Sequence, residues 1–237
     1  MSNHFIVRKN LKASLSLKNL IDTLKYKSKF KKENPHYFDP DGLLVFCGFQ
    51  GSGKTLSAVQ YVKNLMEAYP RCILCTNTDI KGIDENRVCE YNGLDSLKTV
   101  KNDMYGVIFL IDEMHLEFNS LESKNTPIEV FVEISQQRKQ RVHIVGTSQR
   151  YTRIAKSFRE QINYIIDCNN YFNVLQNNKL ILGESVIEKS GEVTAKVNKR
   201  IFFFHSPAMY ESYNTYAKMK RYNKEWQGHK VGGVVYG

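Results

Sequence analysis

Residues 48–55 read Gly-Phe-Gln-Gly-Ser-Gly-Lys-Thr, which has the spacing G-x-x-x-x-G-K-[ST]. Those residue types at that spacing hold phosphate. Gly48, Gly51 and Gly53 let backbone N–H groups close around phosphate oxygens, with Ser52 among them. The helix expected to follow adds the favourable field of its N-terminus. Lys54 is expected to reach the β- and γ-phosphates of a nucleoside triphosphate, and the Thr55 hydroxyl to ligate Mg²⁺. A second chemical feature lies downstream, where Val107-Ile-Phe-Leu-Ile is followed by Asp112-Glu113. An acid at the carboxyl end of a buried strand is placed for the Mg²⁺ shell, and a carboxylate one residue later can act as general base on an attacking water.

The chemistry requires a strand before the glycine loop and a helix after it, and the patterning supplies both. Leu43–Cys47 is an apolar run and Leu56–Ala68 reads as a helix. Further strands are expected at Cys72–Thr76, Val107–Asp112, Val142–Thr147 and Tyr164–Asp167. Helices are expected at Gly93–Lys101, from the capping box of Thr126-Pro127-Ile-Glu129 to about Lys139, and at Arg153–Gln161. Strands alternating with helices imply an α/β fold with a mostly parallel central sheet and right-handed crossovers. Beyond Cys168 the pattern changes to antiparallel ribbons. Tyr171–Leu175 and Lys179–Leu182 flank Asn177-Asn178, and Ser185–Glu188 and Val193–Val197 flank Ser190-Gly191, two hairpin signals. Arg200–His205 is a last strand. The expected organisation is a basic helical arm (1–40), a nucleotide-binding domain with C-terminal β-ribbons (41–205), and a tyrosine-rich tail (206–237) with helical spacing to about Tyr222. Within the arm, Leu17, Leu20, Ile21 and Leu24 follow the i, i+3, i+4, i+7 spacing of an amphipathic helix.

Composition narrows the setting. The chain carries a formal charge of +10, which suits a polyanionic partner; an A-rich codon bias would raise Lys and Asn in the same way. No apolar run approaches the ~20 residues of a membrane span, and the N-terminal residues lack a signal-peptide core, so a cytoplasmic location is expected. The five cysteines show no disulfide framework. Cys72 and Cys75 have C-x-x-C spacing, but on a strand they face opposite sides and no second pair completes a zinc site; both read as core. His115 sits beside the acid pair. His143 lies inside a strand, where a hydrogen-bonded core histidine is expected.

The acid pair ending the third strand resembles the mark of the additional-strand, catalytic-glutamate class of P-loop ATPases. Gly146-Thr147-Ser148-Gln149-Arg150 resembles the sensor segment of the FtsK/HerA superfamily of DNA pumps, with Ser148 where Ala or Thr is commoner. The resemblance covers about residues 42–168. Within that superfamily the chain looks most like the compact genome-packaging ATPases of membrane-containing viruses and the Zot-type ATPases of filamentous phages. The resemblance implies a further strand between the phosphate-loop strand and the Asp-Glu strand, with Gln149 at its tip as a sensor of the γ-phosphate. It also implies ATP and Mg²⁺ as cofactors and Glu113, Lys54 and Gln149 as catalytic residues. Gly48, Gly51, Ser52, Gly53, Lys54 and Thr55 would bind nucleotide, and Thr55 and Asp112 would bind metal. A homo-oligomeric ring, expected to be a hexamer, would act on double-stranded DNA without sequence readout, with a capsid or portal-vertex protein as a further partner and a virion vertex as a further location. A neighbouring subunit would supply an arginine, with Arg138, Arg141, Arg150, Arg153 and Arg159 as candidates.

Three functional classes follow. The first is an ATP-driven DNA translocase that packages a viral genome. The second is a Zot-like ATPase that drives extrusion of a filamentous particle. The third is a nucleotide-switched binding module without motor activity, against which an intact Glu113 argues.

Overall fold

The computed structural model describes residues 16–39, 41–118, 128–189 and 192–213. The chain divides into two compact units, one ending at Tyr37 and one beginning at Phe38. In the first unit α1 (Leu17–Glu33) realises the amphipathic pattern. It ends at Asn34, whose backbone N–H donates to the Phe30 carbonyl, and it buries none of its residues.

The second unit is built on an eight-stranded sheet. Its strands are β1 (Leu43–Cys47), β2 (Ile73–Thr76), β3 (Val88–Glu90), β4 (Val107–Ile111), β5 (Val142–Ser148), β6 (Ile162–Tyr171), β7 (Leu175–Leu182) and β10 (Val197–Phe204). The spatial order is β10-β7-β6-β1-β5-β4-β2-β3, and a separate ribbon pairs β8 (Ile187–Lys189) with β9 (Glu192–Thr194). The six strands from β6 to β3 are parallel. β7 and β10 add antiparallel pairs at one edge. β5 lies between β1 and β4, the additional-strand arrangement. Its register sets Gly146 beside both Val45 of β1 and Ile111 of β4. The carboxyl tips of the three strands therefore lie abreast, and the loops that follow them meet.

The central strands form because every side chain has somewhere dry to go. All five residues of β1 and of β4 are buried, the signature of strands covered on both faces. Leu43, Val45 and Cys47 enter one core cluster with Val130 and Ile134 of α4 (Ile128–Gln136), while Leu44 and Phe46 enter another with Ala58, Val59, Val62 and Met66 of α2 (Lys54–Ala68). Burial of each such aliphatic side chain stabilises the fold by about 1.5–3 kcal/mol. Cys72 and Cys75 also go to different clusters, both fully buried, so the C-x-x-C is core. His143 is buried in β5, with Nδ1 donating to the Gly42 carbonyl at 2.7 Å and Nε2 accepting from the Tyr61 hydroxyl at 2.9 Å.

The structure corrects several expectations. The segment expected to turn at Asn177-Asn178 is continuous strand, β7, paired with β6 from Leu175 to Leu182. The turn lies earlier, at Phe172 and Asn173, both with φ of 55°. Gln176, Asn177 and Asn178 are buried, and polar side chains read as a turn are instead hydrogen-bonded inside the protein. The helix expected over Arg153–Gln161 is a 3₁₀ turn (Tyr151–Arg153) followed by the short α5 (Lys156–Arg159). Ile154 is extended, and the Ala155 N–H donates to the Phe118 carbonyl at 2.8 Å. The helix expected over Gly93–Lys101 is one turn, α3 (Ser96–Thr99). β3 was not expected; three residues carry too little periodicity to announce a strand. α6 (Pro207–Glu211) begins at the expected proline. The Thr126-Pro127 helix start, the tip of the Ser190-Gly191 hairpin and the tail beyond Tyr213 lie outside the described residues.

Candidate nucleotide site

The glycine loop occupies the gap between β1 and α2. Gly51 and Gly53 have φ of 79° and 80°, in the left-handed region that favours glycine. A Cβ at Gly53 would stand 2.1 Å from Gln176 Oε1, so this position tolerates no side chain. Lys54, the first residue of α2, is buried apart from 7% of its surface. Burial raises the Cys47 thiol just before the loop to about 12, so it stays a neutral packing group.

Opposite the loop stand the acids at the tip of β4. The Thr55 hydroxyl donates to Asp112 Oδ1 at 3.1 Å, and the Thr147 hydroxyl donates to the same oxygen at 2.5 Å. Asn77, just past β2, clamps the Asp112 backbone from both sides: its Nδ2 donates to the Asp112 carbonyl at 3.0 Å and its Oδ1 accepts from the Asp112 N–H at 2.8 Å. Glu113 takes left-handed φ and ψ of 56° and 42°, a conformation uncommon outside glycine. It is held there by its N–H, which donates to Thr147 Oγ1 at 2.9 Å. His115 Nε2 lies 3.3 Å from Glu113 Oε2.

A cleft of about 460 Å³ joins these parts. It is lined by the glycine loop, Lys54 and Thr55, by Asn77, Asp112 and Glu113, and by Asn170, Asn173, His205, Tyr210 and Tyr213. Among the described residues a larger cleft, about 1140 Å³, lies between α4, α5 and the β6–β7 ribbon and contains no residue of the two motifs. Size does not select the site here; the donor chemistry does. The Thr55 hydroxyl and the Asp112 carboxylate form the hard-oxygen pair that Mg²⁺ accepts, completed in such sites by phosphate and water oxygens rather than by more side chains. Ser52 Oγ is buried without a hydrogen-bond partner, while its N–H donates within the loop to the Phe49 carbonyl at 3.1 Å. These residues fit ATP and Mg²⁺.

The structure thus brings Gly51, Gly53, Lys54, Thr55, Asp112 and Glu113 into one cleft. Gln149 is outside that lining; its Oε1 accepts from Arg153 Nη1 at 2.7 Å. Thr147, two residues earlier on the same strand tip, makes the contacts to the acid pair. Among the arginines, Arg159 is tied to Glu188 at 2.7 Å and to the carbonyls of Thr152 and Ile154, while Arg150 lies 5.7 Å above the Phe49 ring. Sequence reasoning missed Asn77, whose polar type after a buried strand was a usable signal. It also missed Gln176 and the C-terminal wall, which carry no motif.

That wall is a polar ladder. Gln176 is fully buried, and its Nε2 donates to the Ser52 carbonyl at 2.9 Å and to Asn178 Oδ1 at 2.8 Å. Asn178 Nδ2 donates to Ser57 Oγ of α2 at 3.1 Å. His205 Nε2 donates to Gln176 Oε1 at 3.1 Å. The chain after α6 is anchored across the site by the Lys81 N–H, which donates to the Ser212 carbonyl at 2.8 Å, and by a bridge between Ile80 and Tyr213.

The central sheet, the loop geometry and the acid pair define a P-loop nucleoside triphosphatase fold of the additional-strand type. Among solved structures the chain is similar to the N-terminal domain of zonular occludens toxin from Neisseria meningitidis, at 17% identity over 73% of this chain and 98% of that one, with a TM-score of 0.48. It is similar to the genome packaging NTPase B204 from Sulfolobus turreted icosahedral virus 2 in complex with ATP-γS, at 12% identity over 66% and 96%, with a TM-score of 0.46. It is also similar to the ATPase domain of G40P, at 10% identity over 77% and 94%, with a TM-score of 0.44. No family model and no curated protein matches the sequence. Among the described residues no helix is long and apolar enough to cross a membrane.

Proposed function

We propose that the protein binds ATP with Mg²⁺ in this cleft, hydrolyses it, and couples turnover to the movement of DNA, in the role of a viral genome-packaging motor. The observation that carries the hydrolytic reading is the joining of Thr55 and Asp112 through one carboxylate oxygen at 3.1 Å, with Glu113 held in a left-handed conformation beside them. Thr55 and Asp112 would hold Mg²⁺, which would supply positive charge to offset that of the phosphates. Lys54 and the loop amides hold the phosphates, and Glu113 orients the attacking water and accepts its proton. His115, 3.3 Å from Glu113 Oε2, fixes the carboxylate's direction. Gln149, carried on the tip of β5, senses the γ-phosphate when its contact to Arg153 is exchanged.

The DNA partner is supported by the net charge of +10 and by the resemblance of Gly146–Arg150 to a pump's sensor segment. Contacts to phosphate alone would give binding without sequence preference. A homo-oligomeric ring, with an arginine supplied between neighbours, belongs to the same reading. The test is ATPase activity of the purified protein with and without double-stranded DNA. DNA should raise the rate, rising salt should weaken binding, and Lys54→Ala and Glu113→Gln should each abolish turnover. Equal rates with and without DNA would reject the motor, and binding of nucleotide without multiple turnovers would favour a switch module instead.

A further inference from the structure

We propose that the base of the bound nucleotide stacks on Tyr210, in a seat completed by the β6–β7 turn; this rests on the reading that a nucleoside triphosphate fills the cleft. The sheet order sets the direction. Asp112 and Glu113 follow β4, on one side of the glycine-loop strand β1, while Asn170 and Asn173 belong to the β6–β7 ribbon on the other side. A triphosphate whose γ end meets the acid pair crosses the N-terminus of α2 and sends its nucleoside toward that ribbon.

What waits there is suited to a base. Tyr210 lines the cleft with 48% of its surface exposed. Its polar tip is already committed: the hydroxyl donates to the Asn173 carbonyl at 2.7 Å and lies 2.5 Å from His205 Nδ1. The ring also packs at a steep angle against the His205 ring, centroids 5.5 Å apart, and a ring held at its hydroxyl loses little entropy when a base arrives. The seat is tied to the phosphate cradle, because Asn170 Nδ2 donates to the Gly51 carbonyl at 3.2 Å and to Asn173 Oδ1 at 2.9 Å. Both partners of that nitrogen are acceptors, which fixes the amide's orientation. Asn170 Oδ1 is left buried without a partner, an acceptor at the wall short of one donor such as a base amino group or a ribose hydroxyl.

The experiment compares a ligand that has a base with one that has none. Binding of a non-hydrolysable ATP analogue and of inorganic tripolyphosphate, both with Mg²⁺, is measured by calorimetry on the full chain. Tyr210→Ala should weaken the ATP analogue by roughly 5- to 150-fold, the range of one base–aromatic stack, and leave tripolyphosphate within about twofold, since phosphate contacts are untouched. Tyr210→Phe keeps the ring but frees it from Asn173 and His205, so it should weaken the ATP analogue less than Tyr210→Ala and leave tripolyphosphate unchanged. Lys54→Ala should weaken both ligands. Where Tyr210→Ala does not fold, Tyr210→Leu keeps bulk without a π face and serves in its place. Equal loss of both ligands would make Tyr210 a support of the loop, and no loss would put the base elsewhere; either result overturns the proposal. Wild-type protein that binds neither ligand would overturn the site reading itself.

Discussion

Gln176→Ala tests how far the phosphate loop depends on the antiparallel ribbon. The side chain is completely buried and makes three hydrogen bonds, to the Ser52 carbonyl at 2.9 Å, Asn178 Oδ1 at 2.8 Å and His205 Nε2 at 3.1 Å. Alanine strips the Ser52 carbonyl and Asn178 Oδ1 of a donor. A buried polar group left unpaired costs about 1–3 kcal/mol. Asn178 keeps its Ser57 contact at 3.1 Å, and a water entering the vacated space recovers part of the rest. The expected loss is about 3 kcal/mol, which for a domain of this size lowers Tm by roughly 6–12 °C. Because Ser52 sits within the phosphate loop, KM for ATP should rise as well. Gln176→Glu has nearly the same shape but presents no amide donor and introduces a buried charge, so it should be at least as damaging. Thermal melts and steady-state ATPase assays on the three proteins decide the matter. If Gln176→Ala melts within a degree of wild type and keeps its KM, the ribbon does not hold the loop and the reasoning fails.

Two further predictions follow from named contacts. Thr147→Val removes the hydroxyl that donates to Asp112 Oδ1 and accepts from the Glu113 N–H. It should lower kcat about 10- to 100-fold while KM changes little, since it disturbs the acid pair and not the phosphate cradle; a pure KM effect would contradict this. His143 gives a pH dependence. Burial, only partly opposed by the Gly42 carbonyl and Asp41, lowers its pKa from 6.5 to about 4. Below the unfolded value the unfolded chain takes up a proton that the folded ring refuses. The stability His143 contributes is therefore fully present above pH ~6.5 and is lost as pH falls toward 4, by about 3 kcal/mol at most. Urea titrations at pH 7 and 4.5 should show a smaller acid loss in His143→Asn, whose side chain does not titrate; identical acid losses would refute the assignment.

The parallel core was legible because strand burial on both faces writes itself as unbroken apolar runs. Leu43–Cys47 and Val107–Ile111 match their runs residue for residue, and Ala58, Val62 and Met66 mark the buried side of α2. The glycine loop and acid pair were legible because their chemistry fixes residue type and spacing together. The ribbon was misread for a physical reason. Gln176-Asn177-Asn178 has the composition of a turn, yet all three are buried, and what makes them strand is hydrogen bonding to Ser52, Ser57 and Tyr171 across the fold. Partners 6, 121 and 124 positions away leave no local trace. Phe172, which does occupy the turn, is apolar and 95% exposed, the opposite of the usual turn signal.

The misreading bears on function. A polar stretch buried inside a sheet is costly unless its groups are paired, and here the pairing runs to the phosphate loop on one side and through His205 to Tyr210 on the other. The same chain then crosses to Ile80 and Lys81 beyond β2, a few residues past Asn77, which grips the Asp112 backbone. Phosphate cradle, proposed base seat and acid pair are thus connected through side-chain contacts and short backbone spans. Gln176 joins the phosphate loop, through His205 and Tyr210, to the described C-terminal residues 207–213.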